Sequence, residues 1–309
     1  MHIYELIPHD TKIDFVGNRF YTFAISACAI LICLLSLFFR GVNYGVDFRG
    51  GLAIEIRTEK TADVAELRKT LGGLNLGEVA LQQFGSDRDV LIRIPNSSEE
   101  TREPAAIVTE VKNALGDNVE YRRVETIGPK VGAELVDNAI YAVIISLVAI
   151  LIYIWFRFEW QFALCGIIAL VHDIIILLGL YGLFHYFEFN INAIVALLST
   201  ASYSIHDTVV VFDRIRENLR KYGNITIREV LNKSMNETLS RTILTSFTSF
   251  ISLAVLCIFG GKVIFDFCFP ILFGLVFGTF SSICLSGPLL IYTGIKFDGR
   301  VIPLGLEKK

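Results

Sequence analysis

The sequence predicts an α-helical polytopic membrane protein with six transmembrane helices and one α+β domain between the first and second helices. Of the 309 residues, 53% are hydrophobic and 19% are charged, a composition that argues against a soluble protein. Six apolar runs are long enough to cross a hydrocarbon core, which takes about 20 helical residues. Between the first two runs, apolar and polar residues alternate as they do in half-buried strands.

The charge distribution around the six apolar runs predicts their orientation. Short connections on one side carry fourteen Lys and Arg residues, whereas those on the other side carry only Lys262. Because positive loops stay in the cytoplasm, both termini are expected there. The first run is too long for a signal-peptide core and is expected to remain as a span. The predicted spans are Phe20–Phe39, Ala139–Phe156, Phe162–Phe184, Ile191–Phe212, Thr242–Phe259 and Phe267–Tyr292.

The segment between the first two spans has the pattern of a small independent domain. Strand patterns cover 52–57, 79–84, 90–94 and 119–125, and helix patterns cover 62–71 and 99–115. The order β-α-β-β-α-β predicts a ferredoxin-like fold. All six cysteines lie in the spans, so this domain is expected to be held by its own core rather than by disulfides.

These patterns divide the chain into four parts. Residues 1–39 hold a cytoplasmic N-terminus and the first span, and residues 40–137 form the periplasmic domain. Residues 138–293 carry the other five spans, with a cytoplasmic loop at 213–240, and residues 294–309 form a cytoplasmic tail. Within the loop, residues 226–240 have the spacing of an amphipathic helix that lies before the fifth span.

Ionisable residues inside the spans are the candidate functional residues. Asp173 follows His172 near the middle of the third span, and Asp207 follows His206 in the fourth. Arg241 stands at the start of the fifth span. An unpaired charge inside a membrane is costly, so such residues indicate function by default. A polar pair that only packs between helices is an equally good interpretation for His172 and Asp173.

Asp207 and Arg241 are predicted at similar depths near the same membrane face, where antiparallel neighbouring helices could bring them together. Each belongs to a polar stripe at helical spacing. Facing stripes would form a hydrated seam in an apolar bundle. The stripes are Asn192, Ala196, Thr200, Tyr203 and Asp207 on the fourth span, and Arg241, Thr245, Thr248 and Ser252 on the fifth.

Two interpretations of this seam stay open from the residues alone. The pair could be permanently ionised and fix the helix register, or Asp207 could exchange a proton when its distance from Arg241 changes. His206 could be a neutral hydrogen-bonding spacer or a proton relay. No metal site is predicted, because neither His-Asp pair has the ligand spacing that a metal requires. No cofactor, nucleic-acid site or catalytic centre is expected.

The stretch from Ser199 to Glu217 reads STASYSIHDTVVVFDRIRE and closely resembles the signature of the SecF family. The family's usual wording has Asn in place of His206 and Gly in place of Ser202. Further resemblance lies in the glycine-flanked turn at 45–52, the His172-Asp173 pair and the segments 236–242, 259–261 and 278–282. The matching signature residues include Tyr203, Ser204, Thr208, Asp213 and Arg214.

The resemblance implies a role in protein export across the bacterial inner membrane. It implies that Asp207 carries a proton with Arg241 as its partner. Asp173 is counted with the coupling site because its His-Asp pair is part of the resemblance, and His206 because this departure from the family's Asn places a second titratable group beside Asp207. The resemblance also implies a heterodimer with a SecD-like subunit, and contacts with the SecYEG translocon, translocating preproteins and small accessory membrane subunits. The proton-motive force would drive late stages of translocation.

Two other functions are alternatives to this one. A half-transporter of the same superfamily could export small molecules or lipids, although its outer domain would be larger. An intramembrane aspartyl protease could use Asp173 and Asp207, but these lie at different predicted depths and lack a Gly-x-Gly-Asp context.

Energetics limit what one proton could do. One charge crossing a potential of about 100 mV yields about 2.3 kcal/mol. A pH difference of about one unit adds about 1.4 kcal/mol. Reversing a strongly biased two-state equilibrium takes about 5.5 kcal/mol, so two protons per cycle would suffice where one is marginal.

Overall fold

The computed structural model describes residues 11–74, 76, 79–83, 86–95, 103–116, 119–127, 129–222, 225–294, 296–297 and 300–301. The predicted strand end at Phe84, the predicted helix start at Glu99 and the tail beyond residue 301 lie outside these residues. The chain forms two compact units. The membrane unit comprises the described residues of 1–42, 143–187 and 192–309, and the sheet unit comprises those of 43–142 together with 188–191.

A short α/β segment lies between the first long helix and the other long helices. The helices are α1 Arg19–Arg40, α2 Val46–Arg49, α3 Val64–Gly72, α4 Pro104–Leu115, α5 Pro129–Arg157, α6 Trp160–Leu183, α7 Ile191–Lys221, α8 Ile227–Phe259 and α9 Gly261–Ser281. A π turn at Ser282–Ser286, a short helix α10 at Gly287–Leu289 and a 3₁₀ turn at Leu290–Tyr292 extend α9. The strands are β1 Gly51–Thr58, β2 Ala80–Gln83, β3 Asp89–Pro95, β4 Val119–Ile127, β5 Lys296–Phe297 and β6 Arg300–Val301.

The six predicted spans are confirmed as six helical segments long and apolar enough to cross a membrane. They have mean hydropathies between 1.4 and 2.6 over their most apolar windows. The segments are Arg19–Arg40, Glu134–Arg157, Trp160–Leu183, Ile191–Lys221, Ile227–Phe259 and Val263–Tyr292.

Helices α7 and α8 run further than the apolar pattern predicted. Helix α7 continues past Asp213 to Lys221, and α8 is a single helix from Ile227 that includes the predicted amphipathic segment. No Gly or Pro interrupts the sequence between Ile227 and Phe259, so nothing ends the helix where the polarity changes. Thr226 begins α8 with a capping box to Glu229. The separate loop helix is therefore corrected to the first part of α8.

The turn between α8 and α9 sets the start of the last span. Gly261 has a φ of 72°, a left-handed conformation that glycine adopts without strain. Helix α9 therefore begins at Gly261 rather than at Phe267, although Asp266 makes its first turns less apolar. Pro270 lies inside α9.

Close packing in the membrane unit depends on small residues and on an aromatic cluster. Gly179 of α6 lies directly against Cys33 of α1, where an added Cβ would overlap the cysteine side chain and approach its Cα to 3.0 Å. Small residues let membrane helices approach closely enough for dispersion contacts. Phe162 packs edge-on against Phe212 with ring centroids 5.3 Å apart, and Phe158 packs on both rings.

The sheet unit contains a four-stranded antiparallel sheet in the order β2-β3-β1-β4. In the central pairs, Ile54 of β1 lies opposite Ile92 of β3 and Val124 of β4. Along the chain the strands and helices follow each other as β1, α3, β2, β3, α4 and β4. Asp63 begins α3 by accepting from the backbone N–H of Ala65 at 2.9 Å and Glu66 at 3.1 Å.

One face of this sheet carries the hydrophobic core of the unit. Alternate residues of β1 and β3 are completely buried against Leu71 of α3 and Val111 of α4. Alternation places every second strand residue on the same face, which explains why the pattern was readable in the sequence. The strand residues of this core are Leu52, Ile54, Ile56, Val90, Ile92 and Ile94.

The segment Glu188–Ile191 between α6 and α7 belongs to the sheet unit. Phe189 N–H donates to Asn43 O at 2.8 Å, and Gly45 N–H donates to Phe189 O at 3.0 Å. Glu188 forms an ion pair with Arg93 of β3. Asp47 Oδ2 accepts from the backbone N–H of Ile191 at 3.1 Å, which satisfies an unpaired donor in the first turn of α7.

Replacement of Gly179 by alanine is expected to destabilise the membrane unit. Because the new Cβ would overlap Cys33, α1 and α6 must separate, and overpacking of this kind costs about 1–3 kcal/mol. The measurement is thermal unfolding of the purified full chain in detergent. Gly166→Ala in the same helix is the control, because its Cβ would lie 3.4 Å from the nearest side chain. Equal losses in the two variants would contradict the packing argument.

The sheet unit is expected to weaken in acid because of one ion pair. Arg57 lies opposite Asp89 and binds both of its carboxylate oxygens at 2.7 Å, which holds the pKa of Asp89 below its usual range. The resulting stability is present above about pH 4, the unfolded pKa, and is lost as the pH falls towards the folded pKa. Hydrogen exchange of β1 and β3 amides should therefore be faster in Asp89→Asn than in the wild type at pH 7. The difference between the two proteins should shrink as the pH falls from about 4 to about 2.5, and a difference that stays constant over this range would refute this origin.

Candidate functional site

The carboxyl group of Asp173, near the middle of α6, has hydrogen-bond partners on three helices. His172 Nδ1 lies 2.8 Å from its Oδ1 atom. Ser281 Oγ of α9 donates to Oδ2 at 2.7 Å, and Ser204 Oγ of α7 donates to the same oxygen. The His172 and Asp173 side chains are 2% and 0% exposed. The arrangement provides hydrogen-bond partners for a buried carboxyl group that would otherwise be unpaired in the apolar interior.

A glycine on α9 makes this convergence possible. A Cβ on Gly278 would lie 3.3 Å from Ser204 Cβ, which is a tight contact, and 3.7 Å from Asp173 Oδ2, which is ordinary van der Waals contact. Ser281 follows Gly278 by almost one helical turn and therefore lies on the same side of α9. Helices α6, α7 and α9 thus meet at this polar cluster.

Asp207 of α7 belongs to a second polar cluster. Ser246 Oγ of α8 donates to Asp207 Oδ2 at 3.2 Å, and Thr279 Oγ1 of α9 donates to Ser246 Oγ at 2.8 Å. Asp207 is buried and lies three residues after Ser204 on the same face of α7. The two clusters therefore share α7 and α9.

Arg241 is not in direct contact with Asp207. Among the described residues no ion pair or hydrogen bond joins the two side chains, and Asp207 is hydrogen-bonded to Ser246. The predicted stripe of α8, formed by Arg241, Thr245, Thr248 and Ser252, is exposed on this chain. Ser246 faces Asp207 instead, because residues five apart on a helix point in different directions. The predicted hydrated seam between the two stripes is therefore not formed within this chain.

Several known proteins resemble this chain over most of its length. The profile of the family described as Protein export membrane protein SecD/SecF, C-terminal, matches residues 107–296. The SecD/SecF GG Motif matches residues 35–62. Protein translocase subunit SecF of Rickettsia prowazekii is 42% identical over 310 residues, which cover 99% of each chain. The chain belongs to the SecF family.

A second relative and two solved structures agree with this SecF assignment. SecF of Rickettsia bellii is 43% identical and covers 96% of this chain and 100% of its own. The crystal structure of SecDF from Thermus thermophilus superposes with a TM-score of 0.83 at 35% identity. The match covers 92% of this chain and 39% of the SecDF chain. A structure of SecDF in a super-membrane-facing form superposes with a TM-score of 0.65.

The family assignment favours the translocase function over the two alternatives. Relatives of nearly the same length are SecF subunits, which gives a half-transporter no support. An aspartyl protease needs two carboxylates that share a proton. In the described residues, Asp173 and Asp207 have separate hydrogen-bond partners and do not contact each other. No three His, Cys, Asp or Glu side chains of that part of the chain are placed to hold a metal ion.

The SecF signature residues divide among three surroundings. Ser204 is in the Asp173 cluster, whereas Tyr203 and His206 are exposed on the single chain. Thr208 is buried, and no described residue hydrogen-bonds to its Oγ1 atom. His206 has no hydrogen-bond partner among the described residues. Because Ser204 and Thr208 are buried while Tyr203 and His206 are exposed, the signature supplies both a buried face and an exposed face of α7.

The end of the signature holds the first part of α8 in place. Asp213 pairs with Arg157 of α5 at 2.6 Å, and Arg214 Nε donates to Glu237 of α8 at 2.8 Å. Asn218 donates to the same Glu237 carboxylate at 2.7 Å. Asp213 and Arg214 therefore connect α7 with α5 and α8 rather than belonging to either buried carboxylate cluster.

Sequence reasoning missed the hydroxyl groups that complete the two clusters. Ser246, Thr279 and Ser281 were not among the candidate residues, and His172 was treated only as the neighbour of Asp173. The available signal was the run Gly278-Thr279-Phe280-Ser281-Ser282, which is polar and small inside an apolar span. Such a run indicates contact with another helix.

Removal of the Ser246 hydroxyl is expected to slow proton-driven export. Asp207 would lose its hydrogen bond from Ser246. One hydrogen bond contributes about 0.5–1.5 kcal/mol net, which corresponds to a loss of about 2- to 10-fold in the export rate. The assay compares Ser246→Ala with wild type in proteoliposomes that contain the complete translocase. Ser249→Ala, the same change one helical turn later, should have no effect. A rate for Ser246→Ala equal to that of Ser249→Ala would exclude the contribution.

Proposed function

We propose that the chain is the SecF subunit of the Sec protein translocase and uses the proton-motive force to promote late stages of protein translocation across the inner membrane. The observation that carries the proposal is the buried Asp207 carboxylate on a span of a SecF-family chain, to which Ser246 of α8 alone donates a side-chain hydrogen bond among the described residues. A carboxylate with few donors in an apolar region gains or loses a proton at little structural cost.

Arg241 would complete the coupling site through its charge. It acts on Asp207 without forming an ion pair, so the attraction disappears when Asp207 takes a proton. The two protonation states then favour different separations of α7 and α8, which is the requirement for a two-state element. Asp173 is assigned to the same coupling site. His206, which is exposed beside Asp207, is assigned the role of a spacer whose hydrogen-bond partner lies outside this chain.

A SecD-like subunit is the proposed partner of this membrane unit. Helices α7 and α8 expose polar side chains within their spans, and polar side chains that face lipid are strongly disfavoured. A second polytopic chain would cover this face and provide partners for it. The SecDF relative, of which this chain matches 39%, is long enough to hold such a second half. The exposed residues are Tyr203, His206, Arg241, Thr245, Thr248 and Ser252.

The sheet unit is proposed to be a ferredoxin-like periplasmic domain that handles the translocating preprotein. Support for the fold comes from the element order β-α-β-β-α-β and the strand order β2-β3-β1-β4. Support for the location comes from the excess of Lys and Arg in the short loops on the other side. SecYEG and small accessory membrane subunits are the proposed neighbours in the complete translocase.

Asp207→Asn tests the proton-carrier role directly. Asparagine has nearly the same shape as aspartate but does not ionise, so the protein should insert normally and lose all stimulation of export by a proton gradient. Export of a preprotein is measured in proteoliposomes with and without the gradient, at matched protein levels. Glu159→Gln, at the edge of α6, is the control and should keep the stimulation. Full stimulation in Asp207→Asn would reject the proposed function.

A further inference from the structure

A cavity with mostly basic walls lies where α5 and α7 leave the membrane span. Its volume is about 550 Å³, which is within the range of small-molecule sites. Four cations and two carboxylates line this basic cavity and give it a net charge of +2. The lining residues are Arg157, Asp213, Arg216, Glu217, Arg220 and Lys221.

Both carboxylates of the basic cavity are already paired with arginines. Asp213 binds Arg157 at 2.6 Å. Glu217 binds Arg214, whose side chain is not part of the cavity lining, also at 2.6 Å. Three further cations line the cavity, so its positive charge exceeds the negative charge that its own walls supply. A concave surface with one excess sign of charge attracts ligands of the opposite sign, here an anion.

The guanidinium of Arg216 is held in a fixed position in this cavity. Its Nη1 donates to the backbone carbonyl of Arg157 at 3.2 Å, and its Cζ lies 5.6 Å from the centroid of the buried Phe158 ring. Its Nε is buried and forms no hydrogen bond with any described residue, so this chain does not satisfy the guanidinium completely. A fixed guanidinium is well suited to phosphate, which it can bind through two parallel N–H groups.

The basic cavity lies at the depth of the lipid headgroups. Arg157 ends α5, and Asp213 of α7 contacts it and lies at the same level. Arg216 is less than one helical turn, about 5 Å, further from the span, and the headgroup layer is about 5–8 Å thick on each side. The two tryptophans of the chain, Trp155 and Trp160, are exposed on either side of Arg157, as aromatic residues are at a membrane interface.

Helix α5 has an apolar surface beside the cavity. All exposed side chains between residues 143 and 156 are apolar or aromatic, in contrast to the exposed polar face of α7 and α8. A surface of this kind fits the acyl chains of lipids. Its largest side chains are Ile145, Val148, Ile152, Tyr153, Trp155 and Phe156.

We propose that the basic cavity binds the phosphate group of an anionic phospholipid, whose acyl chains lie along α5. Arg216 contacts the phosphate, and Arg220, one turn further along the same side of α7, adds positive charge together with Lys221. Each such cation near a membrane surface strengthens the binding of an anionic lipid about 5-fold. The lipid ties the ends of α5 and α7 together. Its binding involves no proton transfer and is therefore independent of the proposed function.

Quenching of tryptophan fluorescence tests this site in the full chain reconstituted in vesicles. Because both tryptophans flank the cavity, bromine atoms on the acyl chains of a bound lipid should quench their fluorescence. The vesicles contain equal amounts of phosphatidylglycerol and phosphatidylcholine, and only one of the two lipids is brominated in each sample. We expect a preference of about 5- to 30-fold for the anionic lipid, as one or two excess charges predict. Equal quenching by the two lipids would overturn the proposal.

Two arginine variants show whether the preference arises in this cavity. Arg216→Gln and Arg220→Gln each remove one charge, so each should lower the preference about 5-fold. Lys12→Gln, the control, removes the same charge from an exposed residue outside the cavity lining and should leave the preference unchanged. Arg220 is exposed in the last turn of α7, so its variant decides the outcome even if Arg216→Gln does not fold. Equal preferences in Arg220→Gln and Lys12→Gln would overturn the assignment to this cavity.

Inorganic phosphate distinguishes the lipid from a free anion of the same chemistry. Replacement of chloride by phosphate at equal ionic strength should leave the preference for phosphatidylglycerol unchanged, because the acyl chains hold the lipid beside the cavity. Loss of the preference in phosphate but not in chloride would assign the cavity to free phosphate and overturn the assignment to a lipid.

Discussion

The need to satisfy the Asp173 carboxylate inside an apolar bundle determines how α6, α7 and α9 pack. Hydrogen-bond partners on three helices converge on this one group. Gly278 lets α9 approach Ser204 closely, since a Cβ there would lie only 3.3 Å from Ser204 Cβ. An uncompensated carboxylate is so unfavourable in the membrane interior that the hydrophobic contacts follow the polar ones.

Much of the architecture could be predicted because it depends on local patterns. Six apolar runs became six spanning helices, and the alternating strands gave the element order of the sheet unit. The unbroken apolar runs of the spans and the every-second-residue alternation of the strands are enough to tell these two kinds of element apart. The junction of loop and span at Ser240 could not be predicted in this way, because a helix continues through a change of polarity when no residue breaks it.

The rotation of α8 about its own axis could not be predicted either. The sequence does not show which face of α8 contacts α7, so the conspicuous polar stripe with Arg241 was expected to face Asp207. A polar stripe in a span indicates that the stripe is covered, but it does not indicate by which chain. On α8 the stripe with Arg241 is exposed, and the less conspicuous Ser246 faces α7. Serine and threonine in membrane helices often bond to their own backbone, so a single hydroxyl gives no clear signal in the sequence. Ser252 does so, bonding to the Thr248 carbonyl.

Helix α9 connects the two carboxylate clusters by a simple property of its geometry. Thr279 and Ser281 are two residues apart and point to different sides of the helix, one towards Ser246 and Asp207 and the other towards Asp173. A rotation of α9 therefore changes the hydrogen bonding of both clusters at once. Reciprocity then requires that anything which favours a rotation of α9 through its contacts at one cluster changes the free energy of the other cluster by an equal amount.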